Sequence, residues 1–98
     1  MPAYIIVIRE EPVRDADAFT QYQTLTRQVQ TPIKLTPRVV YGAVETLEGD
    51  TPDGVVVLEF DCMQDAHDWY YSGDYQKAIP HRLQAAKHRA FIVEGLSL

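Results

Sequence analysis

The sequence predicts an α+β domain with elements in the order β-α-β-β-α-β, forming a four-stranded antiparallel sheet with the helical segments on one face. Three observations carry that expectation. Residues 4–8 and 55–58 are apolar runs rich in β-branched side chains, while residues 16–29 and 75–88 space their apolar side chains at helical intervals. Between the middle strands lies a stretch of turn formers, Gly49-Asp50-Thr51-Pro52-Asp53-Gly54. The 98 residues suffice for one domain, spanning 1–98, with a single modest core.

Residues 3–10 open the fold. Tyr4, Ile5, Ile6, Val7 and Ile8 are apolar on both alternate faces, which marks a central strand covered on both sides, and Glu11-Pro12 ends it. Asp15 or Asp17 is placed to cap a helix on which Ala16, Phe19, Tyr22, Leu25, Thr26 and Val29 recur at helical spacing. Pro32 and Pro37 bracket its end, because proline lacks the N–H donor and clashes with the preceding turn. Residues 38–48 read as a second, more polar edge strand and residues 55–61 as a third. A short helix is expected over 64–72, interrupted at Ser72-Gly73-Asp74, and a second helical stretch over 75–88 that Pro80 would bend or restart. Residues 89–95 form the last strand.

This order, with crossover helices and a hairpin between the middle strands, is the ferredoxin-like arrangement. Its helices cover one face of the sheet only, yet the first and third strands are apolar on both. A bare apolar face of that size invites aggregation, so a second copy laid against it is expected, giving a homodimer.

Composition narrows the function. Nine Lys and Arg against fourteen Asp and Glu leave a net charge of −5, which argues against a nucleic-acid partner. An RNA-binding version of the topology would also need exposed aromatics on its central strands, where this chain carries aliphatics. The longest apolar run, from Ala3 to Ile8, is far short of the ~20 residues of a membrane span. No secretory signal precedes it, and Cys62 is a lone thiol that reads as a small buried filler, so a reducing cytoplasmic setting is expected.

Several segments are familiar together: the opening Met-Pro-Ala-Tyr-Ile-Ile-Val, Gly42-Ala43-Val44-Glu45, Leu47-Glu48-Gly49, Val57-Leu58-Glu59-Phe60, Trp69-Tyr70, Ser72, Tyr75-Gln76 and Arg82. With these the chain resembles the "domain of unknown function 1330" family over nearly its whole length, most specifically from Val57 to Arg82. The resemblance implies a dimeric α+β barrel, in which two ferredoxin-like protomers appose their sheets. Relatives by fold include cofactor-independent monooxygenases, lactone isomerases and haem-degrading enzymes, and the family has no settled reaction to carry over. One departure stands out: where the family often has a Gly-Gly pair after the first helix, this chain has Thr31-Pro32-Ile33-Lys34-Leu35-Thr36-Pro37.

The residues themselves offer one constellation. On the helix from Tyr75, the position of Arg82 falls among the apolar ones, and a guanidinium facing a core is costly unless paired. Glu59 is a carboxylate on the otherwise apolar strand face of Val55 and Val57. Either the two form a structural ion pair, or Arg82 lines a cavity and holds the anionic group of a small ligand while Glu59 orients it or acts as a base with a raised pKa. Trp69, Tyr70, Tyr71 and Tyr75 place four of the ten aromatics within seven residues. Tyr70 shares a helical side with Met63 and Ala66 and reads as core, with Trp69 and Tyr71 flanking it. Trp69, Tyr75 and Tyr22 would suit an aromatic ligand, or simply pack at a helix edge or dimer seam.

The histidines lack metal-ligand spacing: His81 and His88 are two helical turns apart, and no metal or cofactor is expected. The leading expectation is therefore a small-molecule-binding protein with a pocket between helices and sheet. It would be lined by Tyr22, Glu59, Trp69, Tyr75 and Arg82, and would suit a small organic acid or phenolic compound as ligand or as substrate of a cofactor-independent monooxygenase or isomerase. The rival is a non-catalytic dimeric sensor or structural module. Charge is unevenly spread: residues 45–74 hold nine acids and no Lys or Arg, residues 75–93 four bases, two histidines and no acid. An acidic chain can thus still hold a positive site around Arg82.

Overall fold

A computed structural model describes residues 1–97. The elements are β1 (Ala3–Arg9), α1 (Ala16–Arg27), β2 (Leu35–Val40), β3 (Gly54–Phe60), α2 (Met63–Tyr70), α3 (Gly73–Ala85) and β4 (His88–Glu94). The strands pair in the order β2-β3-β1-β4, every neighbour antiparallel, and the helices lie on one face. This is the ferredoxin-like fold, with the second helical segment split in two. Among the described residues no helix is long and apolar enough to cross a membrane.

Register decides which residues face the helices. Ala3, Ile5 and Val7 of β1 are buried, and opposite them stand Phe60, Leu58 and Val56 of β3. Side chains alternate across a strand, so Tyr4, Ile6, Ile8, Val55, Val57 and Glu59 project to the other face. There they join Val39 of β2 and Phe91 and Val93 of β4, which are exposed. The thinnest dimension is 16 Å, room for one sheet and one helical layer, so nothing among the described residues covers this second face.

Caps set the helix starts. Asp15 is the N-cap of α1, its carboxylate accepting from the Ala18 N–H at 3.0 Å, and that bond holds its carboxyl below the usual range. Ser72 caps α3 by accepting from the Tyr75 N–H at 3.3 Å. Pro80 neither restarts nor interrupts α3, which runs through it as one helix.

Three local expectations are corrected. The second strand is residues 35–40 rather than 38–48. It tolerates Pro37 because an edge strand can spare an N–H, and a register shift between Pro37 and Val39 marks an irregularity beside it. It stops at Tyr41, whose φ of 55° turns the chain out of the sheet. Cys62 is half-buried at the N-cap of α2 rather than a buried filler. On α2 the deeper aromatic is Trp69, at 4% exposure, and Tyr70 is only partly buried, because the helix turns its Ala66–Trp69 side to the sheet.

Candidate functional site

The helical layer does not seal the sheet evenly. Around Phe60, at one end, α2 and α3 pack down tightly, with Ala66, Trp69 and Tyr75 all buried. By contrast, α1 packs chiefly against α3 and fully buries only Ala18. Beneath α1 the helix-facing side chains Val56 and Leu58 therefore stay half-buried, and a cavity of about 630 Å³ opens over them. That is a ligand-sized volume.

The cavity is walled by Phe19, Tyr22, Gln23 and Thr26 of α1, by Val29, Thr31, Ile33 and Lys34 of the segment that follows, and by Leu35, Pro37 and Val40 of β2, with Tyr41 and Trp69 among the remaining wall residues. The lining is mostly apolar and carries two cations, Arg27 and Lys34, and no carboxylate. Thr26 Oγ1 is buried there and has no hydrogen-bond partner among the described residues. Chemically this is an apolar slot with a positive fringe.

An aromatic row ties the cavity to the core. The Phe60 and Trp69 rings lie 5.7 Å apart, Trp69 and Tyr75 4.3 Å, Tyr75 and Tyr22 6.3 Å, and Tyr22 and Phe19 6.3 Å. The Tyr22 and Tyr75 hydroxyls share a hydrogen bond of 2.8 Å. Burial pushes the Tyr75 phenol well above its ordinary pKa, so it stays protonated. The row ends at Tyr41, stacked edge-on to Phe19, with the Arg9 guanidinium 4.7 Å from the Tyr41 ring and 5.2 Å from the Phe19 ring.

Gly54 makes that end of the row fit. A Cβ there would stand 2.7 and 2.9 Å from two Tyr41 ring carbons. Gly54→Ala is thus expected to displace the Tyr41 ring and destabilise the fold by about 1–3 kcal/mol, the usual cost of overpacking, measurable by urea denaturation.

Of the residues expected at the site, the structure brings together three and buries a fourth on α3. Tyr22 and Trp69 line the cavity, Tyr75 bonds to Tyr22, and Arg82 projects from the buried side of α3, at 3% exposure. Arg82 is not itself in the cavity wall, but its charge is felt by Tyr41, which is, and by Tyr75. Its Nε and Nη1 are buried with no hydrogen-bond partner, and among the described residues no carboxylate pairs with it. A guanidinium so placed is held at a cost to stability.

Glu59 is the correction. It lies across the sheet from Arg82, on the open face, so the two form no ion pair and share no cavity. Its carboxylate instead accepts two hydrogen bonds of 3.3 Å from Arg38, at Oε1 and Oε2. Those bonds hold its carboxyl below the usual range, the opposite of what a poised base needs. The sequence reading missed the wall formed by residues 29–35 and the half-buried Val56 and Leu58. The missing Gly-Gly pair was the one signal there, since Thr31-Pro32-Ile33 supplies side chains where glycines would leave space. Among the described residues no group of three His, Cys, Asp or Glu side chains is gathered to hold a metal ion.

Comparison with known proteins places the fold. An "ethyl tert-butyl ether d (ethd) family protein" from Bacillus halodurans superposes with a TM-score of 0.62 at 14% identity, over 98% of this chain and 100% of that one. A dimeric ferredoxin-like protein of unknown function from Thermobifida fusca gives 0.61 at 15% identity, over 95% and 90%. A dimeric protein of unknown function and ferredoxin-like fold from Bacteroides fragilis gives 0.56 at 12%, over 96% of each chain. No curated protein matches. Residues 2–96, nearly the whole sequence, match the family described as Domain of unknown function (DUF1330), and to that family the chain belongs.

Proposed function

We propose that the protein binds a small organic acid or phenolic compound in the cavity beneath α1, and that it works as a homodimer joined through the open sheet face. The observation that carries the binding reading is a 630 Å³ apolar cavity whose charged lining residues are both cations, with Arg82 buried on the adjoining α3 and, among the described residues, unpaired. The apolar lining takes the body of the ligand, and the Tyr22–Tyr75 hydroxyl pair and Arg82 recognise its polar head. The lining holds no carboxylate, imidazole or thiol, which favours binding over acid–base chemistry by the wall residues themselves. The dimer is supported by the uncovered apolar face and by the dimeric state of two structural neighbours. The single cysteine suits a reducing, cytoplasmic setting.

Thermal-shift titration with benzoate, 4-hydroxybenzoate and hexanoate tests the reading. At a hundredfold excess over Kd a bound acid adds about 2.7 kcal/mol. Val40→Trp, which fills the cavity from an exposed β2 position, should abolish that gain without unfolding the protein. Arg82→Met should also abolish it while raising the stability of the free protein by roughly 1–4 kcal/mol, as apolar replacement of buried ionic groups often does. Equal stabilisation of wild type and both variants would defeat the proposal.

A further inference from the structure

The connection from β2 to β3 spans residues 41–53, far more than the ~2–5 residues a hairpin needs. It is a shaped arm. Tyr41 turns the chain out of the sheet at a φ of 55°, and Gly49 takes a φ of 79° near the tip. The Thr46 and Thr51 hydroxyls bridge its two limbs at 2.9 Å, and the Asp53 N–H ties its root to the Arg9 carbonyl at 2.7 Å. Yet residues 42–51 are exposed throughout, with Leu47 at 86% and Val44 at 42%. Two limbs standing alone in water are marginally stable, and nothing among the described residues covers these apolar side chains.

A second cavity, also about 630 Å³, shows which side of the sheet the arm borders. Ile8 and Arg89, paired across β1 and β4 on the open face, line one part of it, and Asp50, Thr51 and Pro52 of the arm line another. The returning limb therefore borders the open face rather than the helical layer. Charge points the same way. Glu45, Glu48 and Asp50 of the arm form no ion pair among the described residues. On the two edge strands of the open face stand Arg38 and Arg89, each bound to one acid yet with side chains 55% and 62% exposed and donors to spare.

We propose that the arm is a clasp for a second copy of this chain: Val44 and Leu47 extend the apolar seam between the two sheets, and Glu45 and Glu48 meet the arginine-bearing rim of the other copy's open face. This deepens the dimer reading above and rests on it. A second copy is the occupant because the arm continues the edge of the face that the dimer buries, and because that face has the complementary makeup, apolar in the middle with arginines at its edges. A twofold axis makes the clasp reciprocal, each arm gripping the other copy.

Limited proteolysis with a glutamate-specific protease reads the clasp, because Glu45 and Glu48 lie on the arm and mass spectrometry assigns each cut. Cleavage at those two positions should be about tenfold or more slower in the wild-type dimer than in a Val57→Lys monomer, with Phe91→Lys as a second monomer. Leu47→Ser, at an exposed position, should keep the fold but weaken the dimer by about tenfold, read by sedimentation on dilution. Placed in the Val57→Lys chain, the same substitution should leave the unfolding midpoint unchanged, since a lone arm has nothing to grip. Equal cleavage of dimer and monomer, or a Leu47→Ser dimer as tight as wild type, overturns the clasp and leaves the dimer standing. A monomeric wild type overturns both.

Discussion

A lysine at Val57 is expected to convert a particle of twice 11.2 kDa into one of 11.2 kDa. Val57 sits mid-strand on the open face, with Ile6 of β1 beside it on one side and Val39 of β2 on the other. When two such faces meet, an ammonium at that point is cut off from water, and Glu59, the carboxylate on the same side of β3, is already held by Arg38; stranding an unpaired charge costs about 3–5 kcal/mol. A twofold axis imposes the penalty on both copies, because each presents the same patch. In the separated chain the lysine stem can lie over its apolar neighbours with the ammonium in water, so the fold should survive. Light scattering for mass and circular dichroism for fold check the two halves of the expectation. Phe91→Lys, on the β4 side of the same face, is a second route to the same result. A Val57→Lys protein that keeps the doubled mass, or a wild type without it, refutes the dimer.

Phe60→Ala is expected to lower the unfolding free energy by about 3–5 kcal/mol, a large part of the ~5–15 kcal/mol available to a domain of this size. Phe60 is 1% exposed, flanked in the sheet by Ala3 and Leu35 and covered by the Trp69 ring. Ala3 is too small to fill the space left behind, so the cavity persists and the cost lies toward the upper end. Trp69 is the only tryptophan, which makes its fluorescence a local reporter during urea denaturation. Leu58→Ala provides the contrast. Leu58 is two residues earlier on the same side of β3 but borders the open cavity, so its truncation should cost distinctly less than that of Phe60. Equal losses at the two positions would mean that the cavity is filled by packing in solution.

Much of the fold was legible because its signals are local. Five consecutive apolar residues at 4–8, the Asp15 cap and the helical spacing of Tyr75, Ala78 and Arg82 each act within a few residues, where rise and periodicity leave few alternatives. The second strand was misplaced because its evidence conflicts locally: Pro37 reads as a breaker, and only pairing to the edge of β3 makes it tolerable. In the site, the burial of Arg82 followed from helical geometry alone. Its partner did not. Val55, Val56, Val57 and Leu58 are all apolar, so the strand offered no contrast between its faces, and Glu59 was equally compatible with either.

By itself, then, the sequence determined the element order, a sheet apolar on both sides, and an arginine turned toward a core, because each depends on periodicity within one element. Only the tertiary structure decided that Glu59 faces away from Arg82 and pairs with Arg38, and that α1 stands off the sheet to leave a cavity. Those outcomes depend on register and on how one layer seats on another. A one-residue slip exchanges every side chain between the faces of a strand, and no pattern within a single apolar strand records which register its neighbours impose.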